Sequence, residues 1–150
     1  MTSHRRKSFL HRHSLSLVSG IILLTWIVLY SRSNPQTHWG SFFGNAIADW
    51  TGLLVTVIAT KYFYEVGSAE SRRPPDHWLT PVLRFLQDHS LTIFLVLTGA
   101  GWVWLFAASS PNSKWGQVAG NIVSEWTQIF GMVLLTKNLL EAHSKESRQR

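Results

Sequence analysis

The sequence predicts an all-α membrane protein, with four transmembrane helices arranged as two tandem helical hairpins. Three observations carry this expectation. Four long runs are almost free of charge, basic residues gather in alternate loops, and the second half of the chain repeats the first.

The 150 residues are 45% hydrophobic, an ordinary share distributed in an unusual way. Residues 15–30, 42–64, 91–108 and 118–140 form runs of 16, 23, 18 and 23 residues. The first and third carry no charge, the second holds only Asp49 and Lys61, and the fourth only Glu125 and Lys137. A helix crosses a bilayer with roughly 17 to 25 residues. The first run falls just short, and Ser14 and Ser31 extend it into the interface. A soluble four-helix bundle would need a polar stripe along every helix. The stretches IILL at 21–24 and WIVLY at 26–30 leave no room for one.

Taken in order, residues 1–8 are a basic tail containing Arg5, Arg6 and Lys7, and Arg12 follows before the first run. The short loop after that run has one basic residue, Arg32. Residues 66–84, between the second and third runs, are polar and hold Arg72, Arg73 and Arg84 with Gly67, Pro74, Pro75 and Pro81. Lys114 is the one basic residue of the third loop, and residues 142–150 form a polar tail with Lys145, Arg148 and Arg150. Lys and Arg favour the cytoplasmic side. The alternation places both termini and the linker in the cytoplasm, in a bacterial inner (plasma) membrane. The net charge of +6 is then topology plus contact with anionic lipid rather than nucleic-acid binding. Within the linker, Thr80 before Pro81 reads as a helix cap and first turn. Trp78, Leu79, Val82, Leu83 and Leu86 then share one face, as in a short interfacial helix leading into the third span or a cytoplasmic extension of that span.

Shifting the chain by 76 residues aligns 9–65 with 85–141 without a gap, and 19 of the 57 pairs are identical. Unrelated sequences would give roughly 3 or 4. "FLHRHSL" meets "FLQDHSL", "GNAIADWT" meets "GNIVSEWT", and "TKYFYE" meets "TKNLLE". The match is strongest at polar and aromatic positions, which apolar bias does not explain. Each repeat contains two spans, so both enter the membrane in the same direction. The expected relation is a parallel repeat with its pseudo-two-fold axis along the membrane normal. The N-terminus imitates a signal peptide, but its apolar run is the copy of an internal one and is expected to be a span.

Gly40 and Gly44 recur as Gly116 and Gly120, with Ala48 and Ser124 continuing the spacing. Small residues four apart let membrane helices approach closely; the other reading is that these glycines mark helix starts. Asn45 and Asp49 lie four apart and share a helix face, as do Asn121 and Glu125. Gly52, Thr56 and Thr60 continue the first stripe, and Gln128, Met132 and Thr136 the second. The carboxylates carry the cost: a charged acid near the bilayer centre costs roughly 2.5 to 3.5 kcal/mol on insertion scales. No basic residue lies within two turns of either. The acids are neutral, or face a water-filled crevice, or hold a cation or an outer-loop base such as Arg32 or Lys114. Trp39 and Trp115 suit an aromatic belt, while Trp50 and Trp126, beside the acids, are expected to pack against the neighbouring hairpin. Lys61 with Glu65, and Lys137 with Glu141, read as i,i+4 pairs at the cytoplasmic edge. The HRH at 11–13 could suggest a metal, but only His13 has a copy, His89, and both directly precede a span.

The chain has no cysteine, which excludes thiolate–zinc sites and disulfides. No metalloprotease helix, phosphate loop or nucleophile–base pair is present, so no catalytic role and no cofactor are expected, and a metal ligand set is not defined. The expected function is binding or conduction of cations or protons through Asp49 and Glu125, with Asn45 and Asn121 supplying oxygens, in a homo-oligomer. The competing expectation is a non-transporting accessory subunit that binds a larger membrane protein.

Overall fold

The computed structural model describes residues 9–75, 79–110, 112–139, 144 and 146. Arg5, Arg6 and Lys7 of the first tail, Trp78 of the linker, and Leu140, Glu141, Lys145, Arg148 and Arg150 lie outside these. Among the described residues the secondary structure is helical, with no strand. Four helices are long and apolar enough to cross a membrane: α2 (Ser14–Arg32), α3 (His38–Tyr62), α5 (Ser90–Ala108) and α6 (Lys114–Leu135). Two short helices precede the first member of each pair, α1 (Phe9–Arg12) and α4 (Pro81–Asp88).

Local chemistry sets the boundaries. α1 passes into α2 at His13 (φ −118°, ψ 13°) and α4 into α5 at His89 (φ −119°, ψ 17°), so the two histidines stand at equivalent bends. Thr37 caps α3 by accepting from the Gly40 N–H, and Ser113 caps α6 by accepting from the Gly116 N–H. Such caps satisfy amide groups that a helix start leaves unpaired. They also start both helices one turn ahead of the apolar runs. In the loop before α3, the Gln36 N–H donates to Asn34 Oδ1 at 2.9 Å, a side-chain turn that folds the chain back.

α2 packs on α3, α5 on α6, and α3 on α6, so the two even-numbered predicted spans form the centre and α2 and α5 the flanks. The core holds Tyr30, Ile47, Ala48, Ala59, Leu91, Leu95, Val118, Ile122, Trp126 and Val133. The flanking helices bury little. On α2 only Ser19 and Tyr30 are buried, and on α5 only Leu91 and Leu95. Ile21, Leu24, Leu97 and Trp104 are each at least 63% exposed. Apolar surface on this scale is stable in lipid and a liability in water.

One packing expectation is corrected. Trp126 packs within its own hairpin: its indole N–H donates to Thr98 Oγ1 at 2.9 Å, and its ring lies 5.9 Å from that of Trp102. Gly99, also on α5, makes the room. Trp39 and Trp115 are exposed at the helix starts, where a belt residue belongs.

Candidate carboxylate site between the central helices

The polar stripes of α3 and α6 meet at the contact between these helices. Asn121 donates from Nδ2 to Asn45 Oδ1 at 2.6 Å. One turn further along, the carboxyls of Glu125 and Asp49 are close enough to interact. Gly52 allows this approach. A Cβ there would sit 3.3 Å from both Glu125 Oε2 and Ile129 Cδ1. Gln128 Nε2 stands 3.4 Å from the other carboxylate oxygen of Glu125. Each predicted ion-binding residue therefore meets its own copy, Asn with Asn and acid with acid.

The stripe lies beside the central contact and is open on one side of the single chain. Asn45, Asp49 and Gln128 are exposed on the single chain, and Asn121 and Glu125 are half-buried. The reason is the arrangement of helices. α2 and α5 cover the outer flanks of α3 and α6, and Ile47, Ala48, Val118 and Ile122 take the buried faces. The stripe is left along the rim of the central contact.

Of the two bases offered to the acids, Lys114 is engaged elsewhere. Its ammonium donates to the Ser31 and Ser33 carbonyls at 3.1 and 2.6 Å and lies 4.8 Å from the centre of the Tyr30 ring. It thereby satisfies carbonyls at the C-terminal end of α2, where a cation is favoured. Among the described residues the ion pairs all involve Glu65, so neither Asp49 nor Glu125 has a basic partner there.

The four glycines act mainly inside each hairpin. A Cβ on Gly40 would strike the Asn34 carbonyl, and one on Gly116 would strike Ser113 and Ser109, so both lie against the preceding loop. A Cβ on Gly44 would come 3.1 Å from the Tyr30 ring, and one on Gly120 2.9 Å from the Phe106 ring. These positions seat an aromatic residue of the preceding helix. The glycine at the α3–α6 contact is Gly52, which sequence reasoning assigned to the polar stripe alone.

Two ties between the hairpins escaped the sequence reading. Tyr30, 1% exposed, donates from its hydroxyl to the Lys114 carbonyl at 2.7 Å, and its ring meets Trp115 edge-on at 5.3 Å. Its copy is Phe106, so a hydroxyl present in one repeat alone was the available signal. At the opposite end Glu65, also 1% exposed, pairs with Lys137 and with His89 Nδ1 at 2.7 Å, and accepts the Thr92 N–H at 3.3 Å. The expected Lys61–Glu65 pair is absent among the described ion pairs. The chain leaves helical geometry after Tyr62, which swings Glu65 toward the second repeat. Lys61 instead stands 3.1 Å from His13 Nδ1. His89 gives α5 no side-chain cap, and Glu65 serves the Thr92 N–H in its place. Burial alone would push the Glu65 carboxyl up. The hydrogen bonds from Lys137, Thr92 and His89, with the charge of Lys137, hold it below the ordinary value of 4.5.

The chain matches no protein family, no curated protein and no solved structure.

Proposed function

We propose that the chain is a small inner (plasma) membrane protein that binds or passes cations or protons at Asp49 and Glu125. The observation that carries this is the pair of facing carboxyls in a membrane-length helix contact, with no base beside them among the described residues. Two neighbouring carboxyls in a helix contact are suited to sharing a proton or to holding a cation between them. An intramembrane acid is costly enough to signal a role. Asn45 and Asn121, one turn away, offer neutral oxygens on the path. The role is binding and transfer, not catalysis.

The two hairpins are related, in this reading, by a pseudo-two-fold axis along the membrane normal that runs through the site. Two facts support the axis. Equivalent helices start 76 residues apart, at Ser14 and Ser90 and at His38 and Lys114. Asn45 also bonds its own copy, Asn121, which is what residues on a two-fold do. The exposed rim residues Asn45, Asp49 and Gln128 would be unfavourable against acyl chains. A second copy therefore covers them, and the working unit is a homo-oligomer. The same exposure favours one other reading, an accessory subunit whose stripe receives a polar helix of a larger membrane protein.

The test uses the full chain in liposomes and the double variant Asp49→Asn/Glu125→Gln, which keeps hydrogen-bonding capacity and removes the charge. The variant should insert and oligomerise normally and lose cation-dependent or proton flux. Equal flux in variant and wild type would end the ion reading. No flux in either, with association to a larger membrane protein, would favour the accessory role.

A further inference from the structure

A second feature lies at the other end of the molecule, away from the carboxylates. Residues 64–66 run beside the bend between α4 and α5. The Tyr64 N–H donates to Ser90 Oγ, the Leu91 N–H to the Tyr64 carbonyl, and the Val66 N–H to the Asp88 carbonyl. The linker that follows folds over this junction and leaves a cleft of about 420 Å³. Arg72 and Arg73 reach it from the linker, and Arg84 from α4.

The charge balance of the cleft is positive. Among the described residues its acids are Glu65 and Asp88, and Glu65 is taken by Lys137 and His89. Arg72 spends one N–H on the Lys61 carbonyl and keeps further donors. Arg73 and Arg84 are exposed and have no ion pair among the described residues. Guanidinium groups converging from two segments match the planar, forked geometry that phosphate oxygens accept.

The helix that carries Arg84 indicates where the phosphate comes from. At 100° per residue, Arg84, Gln87 and Asp88 share one face of α4, and all three line the cleft. Val82, Leu83, Phe85 and Leu86 occupy the opposite face and are 69, 51, 61 and 47% exposed among the described residues. A helix of this kind, directly preceding a span, lies in the interface with its apolar side among acyl chains. Its polar side, and the cleft with it, then stand at headgroup depth. We propose that the Arg72–Arg73–Arg84 cleft binds the phosphate of an anionic membrane phospholipid. The assignment rests on membrane placement alone and is independent of the part played by Asp49 and Glu125.

The test is lipid retention by the purified full chain, read by native mass spectrometry after exchange into mixed phosphatidylglycerol and phosphatidylcholine. Wild type should retain phosphatidylglycerol in preference. Arg73→Gln/Arg84→Gln should weaken that retention by about tenfold or more, since two charge-assisted contacts are lost. Arg32→Gln, an exposed change at the other end, should leave it unaltered. No preference in wild type would overturn the site without recourse to any variant. Equal retention by wild type and the double variant would overturn it as well. Displacement of the lipid by millimolar inorganic phosphate or glycerol 3-phosphate would overturn the lipid assignment in favour of a soluble phosphate ligand.

Discussion

At Glu65 a carboxylate is 1% exposed and joins three parts of the chain. It closes the end of the first hairpin, caps the start of α5 and pairs with Lys137 just past α6. Removing one partner of a buried pair leaves an uncompensated charge and typically costs about 3 to 5 kcal/mol. Glu65→Gln should therefore lower stability by about 3 kcal/mol, the lower end because Lys137 keeps some solvent contact. Thermal unfolding in detergent measures it, and an unchanged midpoint would refute the tie. The pH dependence has a definite sign. The folded carboxyl lies below its ordinary value of 4.5, so its contribution is present above that value and is lost as pH falls through the folded one. The gap between wild type and Glu65→Gln should be full near neutrality and narrow as the solution is acidified below 4.5. This tie was hidden in the sequence for a simple reason. Lys61 stands one turn before Glu65 and looks like its partner, whereas Lys137 is 72 positions away. Only the break in helical geometry after Tyr62 decides between them.

The elements themselves were largely legible. Charge-free runs at 15–30 and 91–108 became Ser14–Arg32 and Ser90–Ala108, because hydropathy and helix coincide where no polar cap intervenes. The starts of α3 and α6 moved four residues ahead of their runs, since His38, Lys114 and the belt tryptophans are helical without being apolar. The sequence leaves the glycines two readings, helix-to-helix packing or marks of helix starts, and the structure sets Gly40 against the loop that joins α2 to α3. The distinction is measurable. A Cβ on Gly40 would run into the Asn34 carbonyl and stand 2.9 Å from Pro35 Cα, both backbone atoms that have no rotamer to yield. Gly20, in the middle of α2, has nothing within 4 Å of the same position. Gly40→Ala should cost about 2 to 3 kcal/mol through overpacking. Gly20→Ala should be neutral or stabilise by up to about 1 kcal/mol, because alanine is the better helix former. Equal effects of the two substitutions would show that the loop gives way and that Gly40 has no steric duty. The stripe is legible in the sequence as a spacing, and its openness on one side is not. Four-residue periodicity fixes which residues share a face, but not which face the flanking helices leave uncovered.

For the molecule as a whole, the apolar flanks α2 and α5 and the polar contact of α3 with α6 divide the labour that a bilayer imposes. Side chains such as Leu24 and Trp104 face outward from the flanks, and the carboxyls gather where two helices can shield them from one side. Orientation in the membrane follows from charge. Arg72, Arg73 and Arg84 lie at the end of the molecule where α3 finishes and α5 begins, whereas Arg32 and Lys114 lie at the other. Lysine and arginine are retained on the cytoplasmic side, so the first end, with the start of α2 and the end of α6, should face the cytoplasm. The absence of cysteine makes a clean experiment possible, since every thiol is then an introduced one. Gln36, Asn112 and Glu146 are exposed, the first two in the short loops and the third beyond α6. In intact cells a membrane-impermeant maleimide should label Gln36→Cys and Asn112→Cys, and should label Glu146→Cys only after the membrane is opened. Labelling of all three without permeabilisation, or of Gln36→Cys and Asn112→Cys from opposite sides, would break the four-span arrangement. The reverse pattern, with Glu146→Cys alone accessible, would keep four spans and invert the protein. The arginine cleft would then face away from the cytoplasmic leaflet.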